Sequence, residues 1–322
     1  MTNLYPGAAL VATGLAGHGY RKGSLSSSGA IAAWIAGYPH LANPLKLFGV
    51  TMIVFYLAGS RATKVKAAVK ATLEDGPDPS KPGGNRNWVQ VLSNSLPGAI
   101  VALIYRFSFD DYPPAGPNLP PTLLDGLSRG LIFALLGHYA TCLADTFASE
   151  LGILSPSPPK HILTLQTVPA GANGGVTARG LLWSAVGGLV MGLTVAAGVI
   201  VEDPSSYLAL NIDGLRAATL WTAMTGWRGP AGMVVFGTIA GLAGSLLDSL
   251  LGATLQRTLY STTDGRVLTD HSDKARASAP GVVTIGPGID VLSNSAVNAI
   301  CGATCNVHTD RFIASLYSMR RT

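Results

Sequence analysis

Residues 231–256 read AGMVVFGTIAGLAGSLLDSLLGATLQ. The run carries one charged side chain, Asp248, and exceeds the ~20 apolar residues that cross a bilayer. An acid inside such a run costs about 2.5–3.5 kcal/mol on insertion scales, so it ordinarily lines a site or a pathway. This stretch therefore points both to a membrane helix and to a first candidate residue. Comparable runs occupy 122–145 and 180–201, with 91–107 close behind. Shorter stretches at 4–19, 27–42, 44–60 and 288–305 are broken by Gly or Pro. The pattern predicts an all-α fold: a polytopic membrane helix bundle of about eight spans, in one integral membrane domain over 1–322. Residues 206–227, with Trp221 and Trp227, are read as a candidate ninth helix, interfacial or re-entrant.

Composition agrees. Charged residues make up 12% of the 322, about half of the ~25% usual in globular chains. Hydrophobic residues reach 48%, and the mean hydropathy is +0.36. Disorder, which needs low hydropathy and high charge, is excluded. The net charge of +5 comes without a Lys/Arg patch interleaved with aromatics, so no nucleic-acid partner is expected. Three cysteines do not suggest a disulfide framework. A cleaved leader is not read in residues 1–20, which lack a basic start.

Loop charge sets the orientation. Basic residues crowd 61–90, 155–179, 257–287 and the turn at Arg21 and Lys22. The loops 108–121 and 202–215 carry acids and no bases. With eight spans all the basic loops fall on one side, the cytosolic one. Arg311, Arg320 and Arg321 in the tail then conflict with that count.

Only Asp145, Glu150, Asp248 and Asp290 among the acids sit in or at the end of apolar spans. Polar residues recur at helical spacing around them: His138, Thr141, Asp145 and Ser149; Gly241, Ser245, Asp248, Gly252 and Gln256; Asp290, Asn294, Asn298 and Cys301; and Asn87, Gln90, Asn94 and Gly98. Four such faces satisfy one another by converging. A lone Asn or Ser between spans is ordinarily glue, at about 0.6 kcal/mol per bond. A buried acid is costlier to keep, which favours function for Asp145 and Asp248. His138 and Cys301 lack zinc-type partners and are read as packing residues. Carboxylates with amide oxygens suit Mg²⁺, which is typically held by one or two carboxylates plus substrate phosphates. A basic rim suits polyphosphate or a lipid phosphate, and equally an anionic leaflet.

Two glycine-rich loops open helices: Gly83-Gly84-Asn85-Arg86-Asn87-Trp88, and 169–177 with Asn173-Gly174-Gly175-Val176-Thr177. Backbone N–H groups at such junctions can cradle phosphate, though plain turns look the same. Neither is a Walker A loop. The pentapeptide Val91-Leu92-Ser93-Asn94-Ser95 recurs as Val291-Leu292-Ser293-Asn294-Ser295, a hint of the internal repeats common in membrane folds.

In order along the chain, Asn85-Arg86-Asn87-Trp88-Val89-Gln90-Val91, Ala144-Asp145-Thr146-Phe147-Ala148-Ser149-Glu150-Leu151-Gly152, Asn173-Gly174-Gly175-Val176-Thr177, Gly244–Ala253 around Asp248, and Leu292-Ser293-Asn294-Ser295 resemble the transmembrane protein 19 family. Its plant members are phytyl-phosphate kinases. The Asp145 segment is more distantly similar to CTP-dependent polyprenol kinases such as dolichol kinase, with Ala144 where those have Gly. The resemblance implies a multi-pass isoprenyl-phosphate kinase that uses a nucleoside triphosphate, CTP or ATP, and Mg²⁺. It further implies an isoprenyl monophosphate lipid as partner and an endoplasmic reticulum membrane with the site facing the cytosol. On this reading Asp145, Glu150 and Asp248 hold the metal. Asn173, Gly174, Gly175 and Thr177, with Asn85 and Asn87, face the triphosphate. Arg86 and Lys64 neutralise phosphate, and Asn94 and Asn294 orient ligands. The rival class is a transporter or flippase of an anionic or lipid-phosphate substrate. A kinase wants its carboxylates near the cytosolic surface, and a transporter wants them near the midplane.

Overall fold

The computed structural model describes residues 5–75, 85–109, 126–202, 229–269, 272 and 279–304. The candidate helix at 206–227 and the tail arginines lie outside these residues. Nine helices are named here in chain order: α1 (Pro6–Arg21), α2 (Ser27–Leu41), α3 (Leu47–Lys64), the short α4 (Ala67–Lys70), α5 (Trp88–Ser108), α6 (Gly126–Phe147), α7 (Ala178–Glu202), α8 (Pro230–Leu255) and α9 (294–304). A π-helical turn, Ala148–Gly152, extends α6.

Local chemistry explains the starts. Pro6 and Pro230 occupy the first helical turn of α1 and α8, where a missing N–H costs nothing. Ser26 caps α2 by accepting from the Gly29 N–H at 3.0 Å. Asn87 and Gln90 form a reciprocal capping box at α5, with bonds of 3.0 and 3.1 Å, satisfying N–H groups that would otherwise be orphaned.

Among the described residues four helical segments are long and apolar enough to span a membrane: Trp88–Ser108, Gly126–Gly152, Ala178–Glu202 and Pro230–Leu255. Helices α1 and α2 have 16 and 15 residues, and α2 contains Pro39. The stretch 288–305 is helical only over 294–304. Its start is extended because Ile289, Val291 and Leu292 donate to the carbonyls of Thr254 and Leu255, at 3.0–3.1 Å. Those bonds satisfy the last carbonyls of α8.

Helix α6 is the axis of the bundle. Ile132, Leu135, Leu136, Tyr139, Ala140, Leu143 and Ala144 are fully buried in it. Helices α7 and α8 pack against α6 and each other through glycines. A Cβ on Gly188 would collide with the Gly237 carbonyl, and one on Gly241 would come 2.8 Å from the Gly188 Cα. Small residues of this kind let membrane helices approach backbone to backbone. Helices α5 and α3 also pack on α6, with α3 reaching α7 as well, while α2 packs on α5 and α3, and α1 chiefly on α2.

The basic loops gather at one end. They hold more regular structure than a topology loop needs. Strands β1 (Glu74–Asp75), β4 (Thr258–Ser261), β5 (Arg266–Leu268) and β6 (Val282–Ile285) form a sheet in the order β1-β5-β4-β6. β1 and β5 pair in parallel, and the other pairs are antiparallel. A two-stranded ladder joins β2 (Lys160–His161) to β3 (Gly175–Val176).

Candidate active site

Just inside this end lies a cavity of about 1010 Å³, at the upper end of the range for ligand sites. Its polar wall is built by residues from distant parts of the chain. Asp145, on the last turn of α6, and Asp248, on α8, face each other with their carboxyls in hydrogen-bonding contact. Both line the cavity. Asn298 of α9 donates to Asp248 Oδ1 and to the Asn294 carbonyl, 3.2 Å each, with its amide nitrogen turned inward. Two like charges in contact need a shared proton or a cation between them and solvent.

The π-turn has a visible consequence. By inserting an extra residue it swings Glu150 onto the cavity wall next to Ser149. Such bulges recur at functional sites. Glu150 is ion-paired to Lys70 of α4. Lys70 also donates to the carbonyls of Ala62 and Thr63, at 3.2 and 2.7 Å. Glu74 lies nearby, half-buried on β1. Burial and then the charge of Glu150 push its carboxyl up to about 7, against the opposing pull of Lys70.

Arg86 is set by its backbone. It donates to the Ser24 carbonyl and accepts from the Ser26 N–H, each at 3.0 Å. A side chain on Gly29 would strike its carbonyl oxygen. The preceding Asn85 sits at φ 36°, a left-handed geometry that Asn tolerates better than most residues. The guanidinium then reaches Thr63 Oγ1 at 3.3 Å. Burial lowers its pKa, and the neighbouring Glu150 opposes that.

The N-termini of α5, α7 and α9 all open on the cavity, through Asn87 and Gln90, Thr177 and Gly180, and Ser293 to Ser295. Helix N-termini carry partial positive charge and favour anions. Asn94 and Asn294, from the two copies of the repeated pentapeptide, line this same cavity.

The loop 169–177 closes one side. Gly174 adopts φ +73° and presses on Ala253 of α8, so a side chain has no room there. Much of the loop's hydrogen-bonding capacity is spent internally. The Asn173 N–H donates to Thr258 Oγ1 at 3.0 Å and the Gly175 N–H to the Ala172 carbonyl at 2.9 Å. Thr177 Oγ1 accepts from the Gly180 N–H at 2.9 Å, capping α7.

Among the sequence-predicted site residues, Asp145, Glu150, Asp248, Arg86, Asn87, Asn94, Asn173, Gly174, Gly175, Thr177 and Asn294 share this cavity. Lys64 is exposed at the end of α3, and neither it nor Asn85 belongs to the lining. Asp290, from the polar stripes, pairs instead with Arg257 at 2.9 Å on the rim. His138 is buried and hydrogen-bonded to the Asn94 carbonyl at 3.1 Å, a packing role. Glu74 went unread in the sequence because it sits in a basic loop with no periodic pattern. The β-branched run Val282–Ile285 was the available sign that these loops hold strands.

Among the described residues no three or more His, Cys, Asp or Glu side chains form a ready-made metal cage. Two carboxylates facing an open polar cavity match what Mg²⁺ needs when phosphate oxygens and water complete its shell.

Comparison with known proteins places this architecture. The family model for integral membrane protein DUF92 matches residues 10–305. Protein PGR of Arabidopsis thaliana is 31% identical over 96% of both chains. An uncharacterized membrane protein of Methanocaldococcus jannaschii is 33% identical over 40% of this chain and 43% of its own. One from Synechocystis is 28% identical over 53% of this chain and 62% of its own. No solved structure matches. The chain, whose motifs resemble the transmembrane protein 19 family, belongs to the integral membrane protein DUF92 family.

Proposed function

We propose that the protein transfers a phosphoryl group from a nucleoside triphosphate, CTP or ATP, to an isoprenyl monophosphate, giving the diphosphate. The observation that carries this reading is one cavity in which paired carboxylates, helix N-termini and the half-buried Arg86 meet an apolar extension between α1, α2 and α3. A lipid phosphate and a polyphosphate donor need both kinds of surface at once.

Asp145 and Asp248 would hold Mg²⁺, which would supply positive charge against that of the phosphates. Arg86 and the N-termini of α5, α7 and α9 would receive the remaining negative charge. Asn94 and Asn294 would orient ligand oxygens. Glu150, held by Lys70, would add to the carboxylates that attract the cation and would fix the Lys70 ammonium beside the site. A non-bridging oxygen of the lipid phosphate attacks the γ-phosphorus. The bond from that phosphorus to the bridging oxygen breaks, and the nucleoside diphosphate leaves. The attacking phosphate is already anionic, so no general base is required. Positioning and charge neutralisation do most of the work in such transfers.

Transport is the competing class. The carboxylates lie close to the ends of α6 and α8 that carry the basic loops, within reach of a soluble nucleotide, which supports transfer. The family resemblance suggests the endoplasmic reticulum membrane, and the basic loops favour this end in the cytosol.

The test is phosphate transfer in detergent with labelled CTP or ATP, Mg²⁺ and a panel of isoprenyl monophosphates. Wild type should yield the diphosphate. Asp145→Asn should lower the rate by on the order of 10²–10³-fold, the scale of losing one preorganised electrostatic group. The variant should keep or raise its melting temperature, because it removes a like-charge contact. Folded wild type that yields no diphosphate with any lipid or nucleotide defeats the kinase reading and favours transport.

A further inference from the structure

The cavity does not end at the carboxylates. It continues into the bundle between α1, α2 and α3, where Ala12, Ala16, Ala33, Ala36, Gly37 and Met52 line it. From Asp145 to Tyr139 along α6 is about 9 Å at 1.5 Å per residue, and from Gly59 to Met52 on α3 about 10 Å. Tyr139 stands at the inner end. Its ring is 5.1 Å from that of Phe55, and its hydroxyl is bonded to buried His40 at 2.8 Å. That polar atom is thereby satisfied and offers a ligand nothing, leaving the aromatic face. Alanine and glycine on α1 and α2 keep the arm open, since neither projects far enough to fill it. A side chain grown from Gly37 meets only Met52, with its Cβ 3.5 Å from Sδ and 3.8 Å from Cε. Gly37 and Met52 thus nearly meet: an alanine methyl just fills the space between them, and a longer side chain must displace Met52 or turn into the arm.

We infer that this arm is the hydrocarbon-tail subsite of a single-chain lipid monophosphate, and that the wall formed where Gly37 meets Met52 sets the longest tail accepted. The inference rests on the kinase reading for its activity readout. The arm is continuous with the phosphate-sized polar end, so a headgroup at Asp145 and Asp248 projects its tail into it. Apolar walls of this kind exclude a second polar substrate and reward each buried methylene by about fourfold in affinity. Discrimination by tail length then follows from how many methylenes find room.

Two measurements test this. The first compares geranyl, farnesyl, geranylgeranyl and phytyl monophosphates as acceptors for wild type, Gly37→Ala and Gly37→Phe. Gly37→Phe should lower kcat/KM tenfold or more on the longest tails relative to geranyl phosphate, and Gly37→Ala should shift the preference in the same direction by less. An unchanged order of preference in folded, active Gly37→Phe overturns the inference. The second is independent of activity and uses wild type alone. A prenyl monophosphate with a terminal diazirine is photolysed on the protein, and the labelled peptides are mapped. Label should fall within 33–37 and 52–56 and be competed by geranylgeranyl phosphate, not by phosphatidylcholine. Label on the lipid-facing Leu10 or Ile31, or equal competition by phosphatidylcholine, overturns it. If wild type transfers phosphate to no lipid, the kinase reading fails and the photolabel alone decides the arm.

Discussion

Single residues decide the electrostatics of this site. Glu74 is the clearest case. Its carboxyl titrates at about 7, above its ordinary 4.5. The folded chain therefore keeps a proton that the unfolded chain gives up. Linkage fixes the sign: Glu74 costs stability progressively as pH rises from about 4.5 to 7, and the cost is constant above that. Glu74→Gln should flatten the fall of melting temperature over that interval, which thermal unfolding at a series of pH values checks. An unchanged slope would mean that Glu74 is solvated or paired in solution. At this scale the sequence was a good guide where chemistry is expensive. Asp145 and Asp248 stood out because acids are rare in apolar runs. Glu74, Lys70 and Arg257 did not, because a charge in a basic loop is unremarkable until the loop folds onto something.

Elements carry the next layer. The glycines of α7 and α8 allow the backbone contact that brings Asp248 level with Asp145. Gly188→Leu should overpack that interface and cost on the order of 1–3 kcal/mol or more. It should lower the melting temperature in detergent, and any retained activity should show reduced affinity for Mg²⁺. A variant with wild-type stability would mean that the contact is looser than described. Helix periodicity was legible in the sequence for the four long spans. The π-turn was not, since nothing in Ala148-Ser149-Glu150-Leu151-Gly152 marks an inserted residue, yet it is what turns Glu150 inward. The 288–305 stretch also read as a span, and only 294–304 became helix because Gly288 and the following residues close on the end of α8. Hydrogen bonds between distant segments leave no periodic trace.

For the molecule as a whole, the polar end and the tail arm require one orientation. In a variant lacking native cysteines, Ser149→Cys should react with a membrane-impermeant maleimide from the cytosolic side of sealed vesicles. Ala33→Cys should not react from either side. Ser149→Cys labelling from the lumenal side alone would reverse the assigned orientation. The sheet has a further consequence, for the order in which the protein is made. β1 emerges from the ribosome early, but its partner β5 and the Asp248 that faces Asp145 are synthesised much later. Asn298, which bonds Asp248, comes later still. Until then the nascent chain holds helices α1 to α7 in the membrane with an acid at the end of α6 that nothing yet faces. The half-made protein thus has an incomplete cavity, and a chain cut short after Leu255 has Asp145 and Asp248 but lacks Val267 and Leu268 of β5, which belong to the same lining.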